Sequence, residues 1–451
     1  MAVKITTIQG DCINQTTPPT KCFERSIVTI PGYFNKKQTQ LGFSEDVLSK
    51  HLLLIGGTGC GKTNVFYYFV QQIKHQLKQD DVMLVFDTKG DFLRFYRPGD
   101  VIISNSKTHS NISSKWNIYK EIVVDGFEKN DVYNNTLEIS YSFFRDAIEK
   151  SSQPFFPSAA RDLFASLVLA HIRMGADDLA FKKAFFNNKA LKKYFDSLSP
   201  QKITKLLSNA VFSDLSSVLS YIGDGSSDQS LGVLAELQNV IRQLLIGTFA
   251  DDGRFSVREF VRQKGAKTLF VEYDMSIGET LSPIYRLLFD LALKEALGRN
   301  KLDVNNPKAN TPKGNVYLIC DEFKLLPHLQ HIEDGVNFGR SLGVKIIAGI
   351  QSIEQLYEIY GESKGRNIAA GFSSVLAFKA NDTSTREFVS SLYGKNIVLE
   401  QYRSSNNTLV EEKREGKTVE DWDMNNLDLG QAVVGLPFEK PFIFQFGLFG
   451  R

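Results

Sequence analysis

The sequence predicts an α/β fold: a central, mostly parallel sheet whose strand order is interrupted by an all-helical insertion. Three observations carry this expectation. Short, wholly apolar runs recur along the chain, as parallel strands do when helices cover both faces. Helical patterns separate several of them, which gives the βαβ alternation of a doubly wound sheet. Residues 150–245 show helical periodicity and no convincing strand.

The elements follow in order. Strands are expected at residues 51–55 (HLLLI), 82–86 (VMLVF), 268–271 (TLFV), 316–320 (VYLIC), 344–348 (VKIIA) and 374–378 (SVLAF). After the third strand, Ser282 is placed to cap a helix, Pro283 suits its first turn, and Gly298 marks its end. Within the insertion, residues 159–170 (AARDLFASLVLA) read as a helix and residues 223–228 (GDGSSD) as a turn. The mixed-charge run Glu411–Glu415 reads as a solvated loop.

Composition narrows the function. With 451 residues, 42% apolar and 23% charged, the chain is globular and long enough for two or three domains. A net charge of +2 excludes a uniformly basic nucleic-acid coat, so any nucleic-acid contact must be local. Cys12, Cys22, Cys60 and Cys320 lack CxxC spacing, which fits a reduced chain without a zinc ribbon or disulfide scaffold. The first residues lack the layout of a signal peptide, and no apolar run approaches the roughly 18 residues of a membrane span. The chain is therefore expected not to cross a membrane by itself.

Gly56, Gly57, Thr58, Gly59, Cys60, Gly61, Lys62 and Thr63 spell G-x-x-x-x-G-K-T between a strand and a helix. Glycines let backbone N–H groups curl around phosphates at a helix N-terminus, where the partial positive charge favours anions. Lys62 is expected to reach the β- and γ-phosphates, and the Thr63 hydroxyl to hold Mg²⁺. ATP and Mg²⁺ are thus the expected cofactors. The strand 316–320 ends in Asp321 and Glu322, carboxylates on opposite faces. Asp321 suits Mg²⁺, and Glu322 suits polarising an attacking water. The 259 positions between Lys62 and Asp321 exceed a compact kinase or small GTPase, and the helical insertion accounts for most of them. The expected division is 1–149 for the first part of a nucleotide-binding domain (its first 48 residues a small β-rich segment), 150–245 for the insertion, and 246–451 for the second part.

The ordered set GGTGCGKT, VFDTKGDF (85–92), WN (116–117), LICDEF (318–323) and GRSLGVKIIAGIQS (339–352) resembles the conjugative coupling proteins of type IV secretion, the TraD/TraG group, within the wider FtsK/HerA class of DNA pumps. The resemblance spans roughly residues 40–400 and implies a RecA/FtsK-like P-loop NTPase core carrying an inserted helical domain. It implies that Gln351 senses the γ-phosphate or water and that Arg340 acts in trans on a neighbouring subunit's nucleotide. Arg242 and then Arg386 are weaker trans candidates, and Asp87 is expected either to shape the site or to support it structurally.

Residues 182–205 hold seven lysines (Lys182, Lys183, Lys189, Lys192, Lys193, Lys202, Lys205) against one acid, Asp196, a local charge of +6. On a relative of DNA pumps these are candidate contacts to DNA phosphates or an acidic partner. Arg299, Lys301, Lys308 and Lys313 form a candidate pore loop, while the 34 phenylalanines read as core. His328 and His331, though three apart, complete no metal site and are assigned no function. The resemblance implies a homohexameric motor pumping DNA, single-stranded and relaxase-led, toward a secretion channel. Without a span of its own, it is expected in the cytoplasm, touching the inner face of the membrane only through a partner. Two alternatives stand beside this: a soluble DNA motor of the same class in defence or element maintenance, and a low-turnover nucleotide-dependent cargo adaptor.

Overall fold

The computed structural model describes residues 4–16, 25–298, 314–403 and 408–450. Its strands are β1 (Lys4–Gln9), β2 (Ser26–Phe34), β3 (Lys37–Ser44), β4 (Leu52–Ile55), β5 (Val82–Asp87), β6 (Val101–Ile103), β7 (Lys267–Glu272), β8 (Val316–Cys320), β9 (Val344–Ile350), β10 (Ser374–Phe378), β11 (Lys395–Arg403), β12 (Leu409–Lys417), β13 (Gln431–Gly435) and β14 (Phe442–Phe446). All six expected strands are present.

Eleven strands form one sheet in the order β3-β2-β14-β13-β10-β4-β9-β8-β5-β7-β6. The seven from β10 to β6 are parallel, and the other four continue the sheet antiparallel. Pleating explains why the parallel strands lack alternation, since successive side chains enter different cores and both are dry. Leu53 and Ile55 enter one core with Val82, Leu84 and Phe86; Leu52 and Leu54 enter the other with Met83 and Val85. Each fully buried side chain of this size contributes roughly 1.5–3 kcal/mol.

Helices run without a strand from Ile118 to Gln263, between β6 and β7. Their apolar faces, including Phe143, Leu167, Val233 and Leu237, are continuous with the core on the Leu53 side of the sheet. The long helices Lys129–Lys150 and Phe155–Gly175 pack against each other on either side of residue 150. Trp116 and Asn117 fasten the start of this block. The buried Trp116 donates its indole N–H to Glu121 Oε1 at 2.8 Å. Asn117 caps the helix Ile118–Ile122 and donates to the carbonyls of Phe186 and Gly253 at 2.9 and 2.8 Å.

Two local expectations are corrected. The helix after β7 spans Gly278–Leu297, so Ser282 lies buried in its interior and Pro283 in its second turn. Asp274 Oδ1 accepts from the N–H and hydroxyl of Ser276, a turn that starts the helix five residues early. Gly298 ends it as expected, its N–H donating to Lys294 O at 2.8 Å. The run Glu411–Glu415 lies in a strand instead of a loop. In the separate antiparallel sheet β1-β11-β12, Arg414 pairs with Glu400 of the neighbouring strand at 2.5 Å and with Glu420 at 2.9 Å. Cross-strand ion pairs and backbone ladders suit an exposed ribbon, so mixed charge does not exclude strand.

Candidate nucleotide site

Strand β4 delivers the chain into residues 56–61, and the helix Lys62–Gln76 leaves it. Gly61 is the N-cap at φ +112 and Gly59 sits at φ +75, conformations that L side chains rarely adopt. No side chain caps this helix, so its first N–H groups face the loop. The loop is braced from behind: Gly56 N donates to Ile350 O at 3.3 Å and Gly57 N to Lys379 O at 2.9 Å.

Lys62, only 8% exposed, turns back on the loop and donates to the carbonyls of Gly56 (2.5 Å) and Gly57 (3.1 Å). Thr63 Oγ1 donates to Asp321 Oδ2 at 2.8 Å, joining residues far apart in the chain. Burial pushes the Asp321 carboxyl up to about 6, against the Thr63 hydrogen bond and the Lys62 charge, which lower it. Glu322 Oε2 accepts from Gln351 Nε2 at 2.9 Å, and Thr58 Oγ1 donates to Gln351 Oε1 at 3.1 Å. Glu322 Oε1 is buried without a hydrogen-bond partner. Burial also raises the Cys60 thiol.

These residues fit nucleotide phosphates and a divalent cation. An uncapped helix N-terminus, a lysine bonded only within its own loop and the unpartnered Glu322 oxygen all await polar partners. Among the described residues no group of three or more His, Cys, Asp or Glu side chains could hold a metal. A hard cation would take the oxygens of Thr63 and Asp321, with phosphate and water completing its shell.

The structure sorts the remaining expectations. Asp87 is fully buried and turned to its own loop, accepting from the N–H groups of Phe92 (2.8 Å) and Leu93 (3.2 Å); burial raises its carboxyl to about 6. It holds the segment that carries Lys89, accepting from Lys89 N at 3.2 Å, and the Lys89 charge lowers the Asp321 pKa. Sequence reasoning passed over Lys89 and Gln355, which accepts from Gln351 N at 3.0 Å; their positions after β5 and β9 were the available signal.

Arg340 lies just before β9, at the end of the sheet opposite the phosphate loop, exposed and 3.2 Å from Asp46. It does not join its own chain's site. Arg242 is exposed and paired with Asp196 at 2.9 Å. Arg386 is locked onto Asp421 (2.6 Å) and the carbonyls of Asn381 (2.7 Å) and Ala380 (3.3 Å), which ties it to its own chain. Of the candidate lysines, Lys192 donates to Leu245 O at 2.7 Å and Lys182 sits 4.2 Å from the Phe127 ring centroid. Lys183, Lys189 and Lys193 are exposed; Lys189 and Lys193 edge a cleft walled by Met174, Phe181 and Phe185. Arg299, Lys301, Lys308 and Lys313 lie outside the described residues.

Residues 37–422 match the family described as the type IV secretion-system coupling protein DNA-binding domain. The coupling protein TraD of Escherichia coli (strain K12) is 22% identical over 358 residues, covering 77% of this chain. The chain spans 44% of that relative's length. The plasmid coupling protein TrwB in complex with the non-hydrolysable ATP analogue ADPNP has a similar fold: TM-score 0.68 and 19% identity over 90% of this chain and 87% of the other. TrwB in complex with ADP and Mg²⁺ gives 0.61 and 20% identity over 90% and 88%.

Proposed function

The chain belongs to the type IV secretion-system coupling proteins, and from that premise we propose that it is an ATP-hydrolysing motor that recruits DNA, single-stranded and relaxase-led, and pumps it toward a secretion channel. One observation carries the hydrolytic reading: the fold closes Thr63 on Asp321 and Gln351 on Glu322 in a single site.

The residues divide the work. The N–H groups of residues 56–63 and the Lys62 ammonium bind the phosphates. A divalent cation held by Thr63 and Asp321 would neutralise charge on those phosphates when bound. Glu322 presents its unpartnered oxygen to the attacking water and takes up its proton, acting as general base. Gln351 bridges Thr58 and Glu322, so it reports on the γ-phosphate side of the loop to the base. Arg340, remote from its own site, acts on the nucleotide of a neighbouring copy in a homohexameric ring. The similar TrwB fold supports an NTPase that cycles between ATP and ADP, since structures of that protein hold an ATP analogue and ADP with Mg²⁺.

Lys183, Lys189 and Lys193 offer charge to DNA phosphates or an acidic partner. Among the described residues no helix is long and apolar enough to cross a membrane. Membrane contact through a partner protein is part of the same proposal.

Phosphate release with and without single- and double-stranded DNA, paired with mass measurement of the assembly, tests this reading. Wild type should show DNA-stimulated release, Lys62→Ala none, and Arg340→Ala a loss confined to assembled rings. Equal release by wild type and Lys62→Ala refutes the site; unchanged turnover of Arg340→Ala in rings refutes the trans role.

A further inference from the structure

The segment between β10 and the helix Thr383–Leu392 touches both halves of the nucleotide site. Its first residue meets the phosphate loop, where Gly57 N donates to Lys379 O at 2.9 Å. Three residues on, it meets the turn that carries Gln351. Ser352 Oγ donates to Asp382 Oδ1 at 3.2 Å, and Ile353 N donates to Thr385 Oγ1 at 3.0 Å. The Thr385 hydroxyl in turn donates to Ser352 Oγ at 3.3 Å, and Asp382 Oδ1 caps the helix by accepting from Thr385 N at 2.8 Å. Thr385 is completely buried. Arg386 fastens the segment from outside through Asn381 O and Asp421.

We propose that Thr385 and Asp382 are positioning residues for the nucleotide reaction. They clamp residues 351–353 so that Gln351 is presented to Glu322 and Thr58, and they tie that turn through residues 379–382 to the phosphate loop. This rests on the hydrolytic reading above. Gln351 can bond to both Thr58 and Glu322 only while its backbone stays in place. Its N–H is bonded to Gln355 on one side, and the next two residues are bonded to Asp382 and Thr385 on the other. A displacement near 1 Å at such a site lowers turnover by as much as about 100-fold. Neither residue touches the reacting atoms, so binding of the nucleotide phosphates, which uses the loop and Lys62, should be spared.

The test compares Thr385→Val and Thr385→Ser with wild type in the full chain. Three quantities are read: steady-state kcat and KM for ATP, affinity for a fluorescent ADP analogue, and amide hydrogen exchange across residues 350–354. Valine keeps the shape and deletes the acceptor for Ile353 N. It should lower kcat by about 10-fold or more, leave ADP-analogue affinity unchanged, and speed exchange at residues 351–353. Serine, which keeps the hydroxyl, should return kcat and exchange to wild-type values, with affinity again unchanged. The inference is overturned if valine leaves kcat and exchange at wild-type values, if nucleotide affinity falls in step with kcat, or if serine fails to restore. If wild type and Lys62→Ala release phosphate equally, the hydrolytic reading has failed, and the exchange measurement, which needs no turnover, decides the clamp by itself.

Discussion

Glu121→Ala should detach the helical insertion from its anchorage. Glu121 is completely buried, and both oxygens are filled. Oε1 accepts from Trp116 Nε1 at 2.8 Å and Val257 N at 2.7 Å; Oε2 accepts from Ser256 Oγ at 2.8 Å and Arg258 N at 3.2 Å. Burial raises its pKa, yet all four facing groups donate to it, so the ionised form is the one the geometry suits. One carboxylate therefore joins the helix Ile118–Ile122 to the N-terminus of the helix Val257–Gln263, the two ends of the helical block. Alanine strands four donors, each worth about 1–3 kcal/mol when left buried and unpaired. Water entering the new cavity recovers part of that, so the low end of the sum, about 4 kcal/mol, is expected. Glutamine fits the space, and Ser256 can rotate to accept from its amide; only one backbone N–H then faces a donor, for a loss of about 1–3 kcal/mol. Urea unfolding followed by the fluorescence of Trp116 would measure both, because Trp116 is fully buried and the other tryptophan, Trp422, is 46% exposed. An alanine variant within 1 kcal/mol of wild type, or a glutamine variant as unstable as alanine, would refute the reasoning.

Two further outcomes are expected. Glu322→Gln keeps an acceptor for Gln351 but cannot take a proton; turnover should fall roughly 10²–10⁴-fold with ATP-analogue affinity unchanged, and near-wild-type phosphate release in a single turnover would remove Glu322 as the base. Burial holds the imidazoles of His51 and His171 down at about 4, so between about pH 6.5 and 4 the unfolded chain binds protons that the folded chain does not. Stability supplied by these neutral rings is present above the unfolded value and lost as pH falls, by roughly 2 kcal/mol per ring between pH 7 and 5. Urea midpoints for wild type and His171→Gln at both pH values check the sign, and a slope the substitution leaves untouched would count against it.

Much of the site was legible because its chemistry is local. Positive φ at Gly59 and Gly61 favours glycine at those positions, and Lys62 and Thr63 follow within one turn. Asp321 and Glu322 announce themselves by ending an apolar strand. Other features stayed hidden because they depend on partners distant in the chain. Gln355, Thr385 and Lys89 are ordinary residues until β8, β9, β10 and β5 bring their loops to one edge of the sheet. The run Glu411–Glu415 is hydrophilic enough for a loop and forms a strand only because β11 supplies backbone partners and Glu400 meets Arg414 across the ladder.

By itself, then, the sequence determined six of the seven parallel strands, the phosphate loop and the acidic pair, because apolar runs and glycine-rich turns are set within a few residues. Strand order, the shared core that binds the insertion to the sheet, and the closure of Gln351 on Glu322 were decided only in three dimensions. Those depend on which apolar faces meet and which buried polar groups find partners, and chain separation does not encode that.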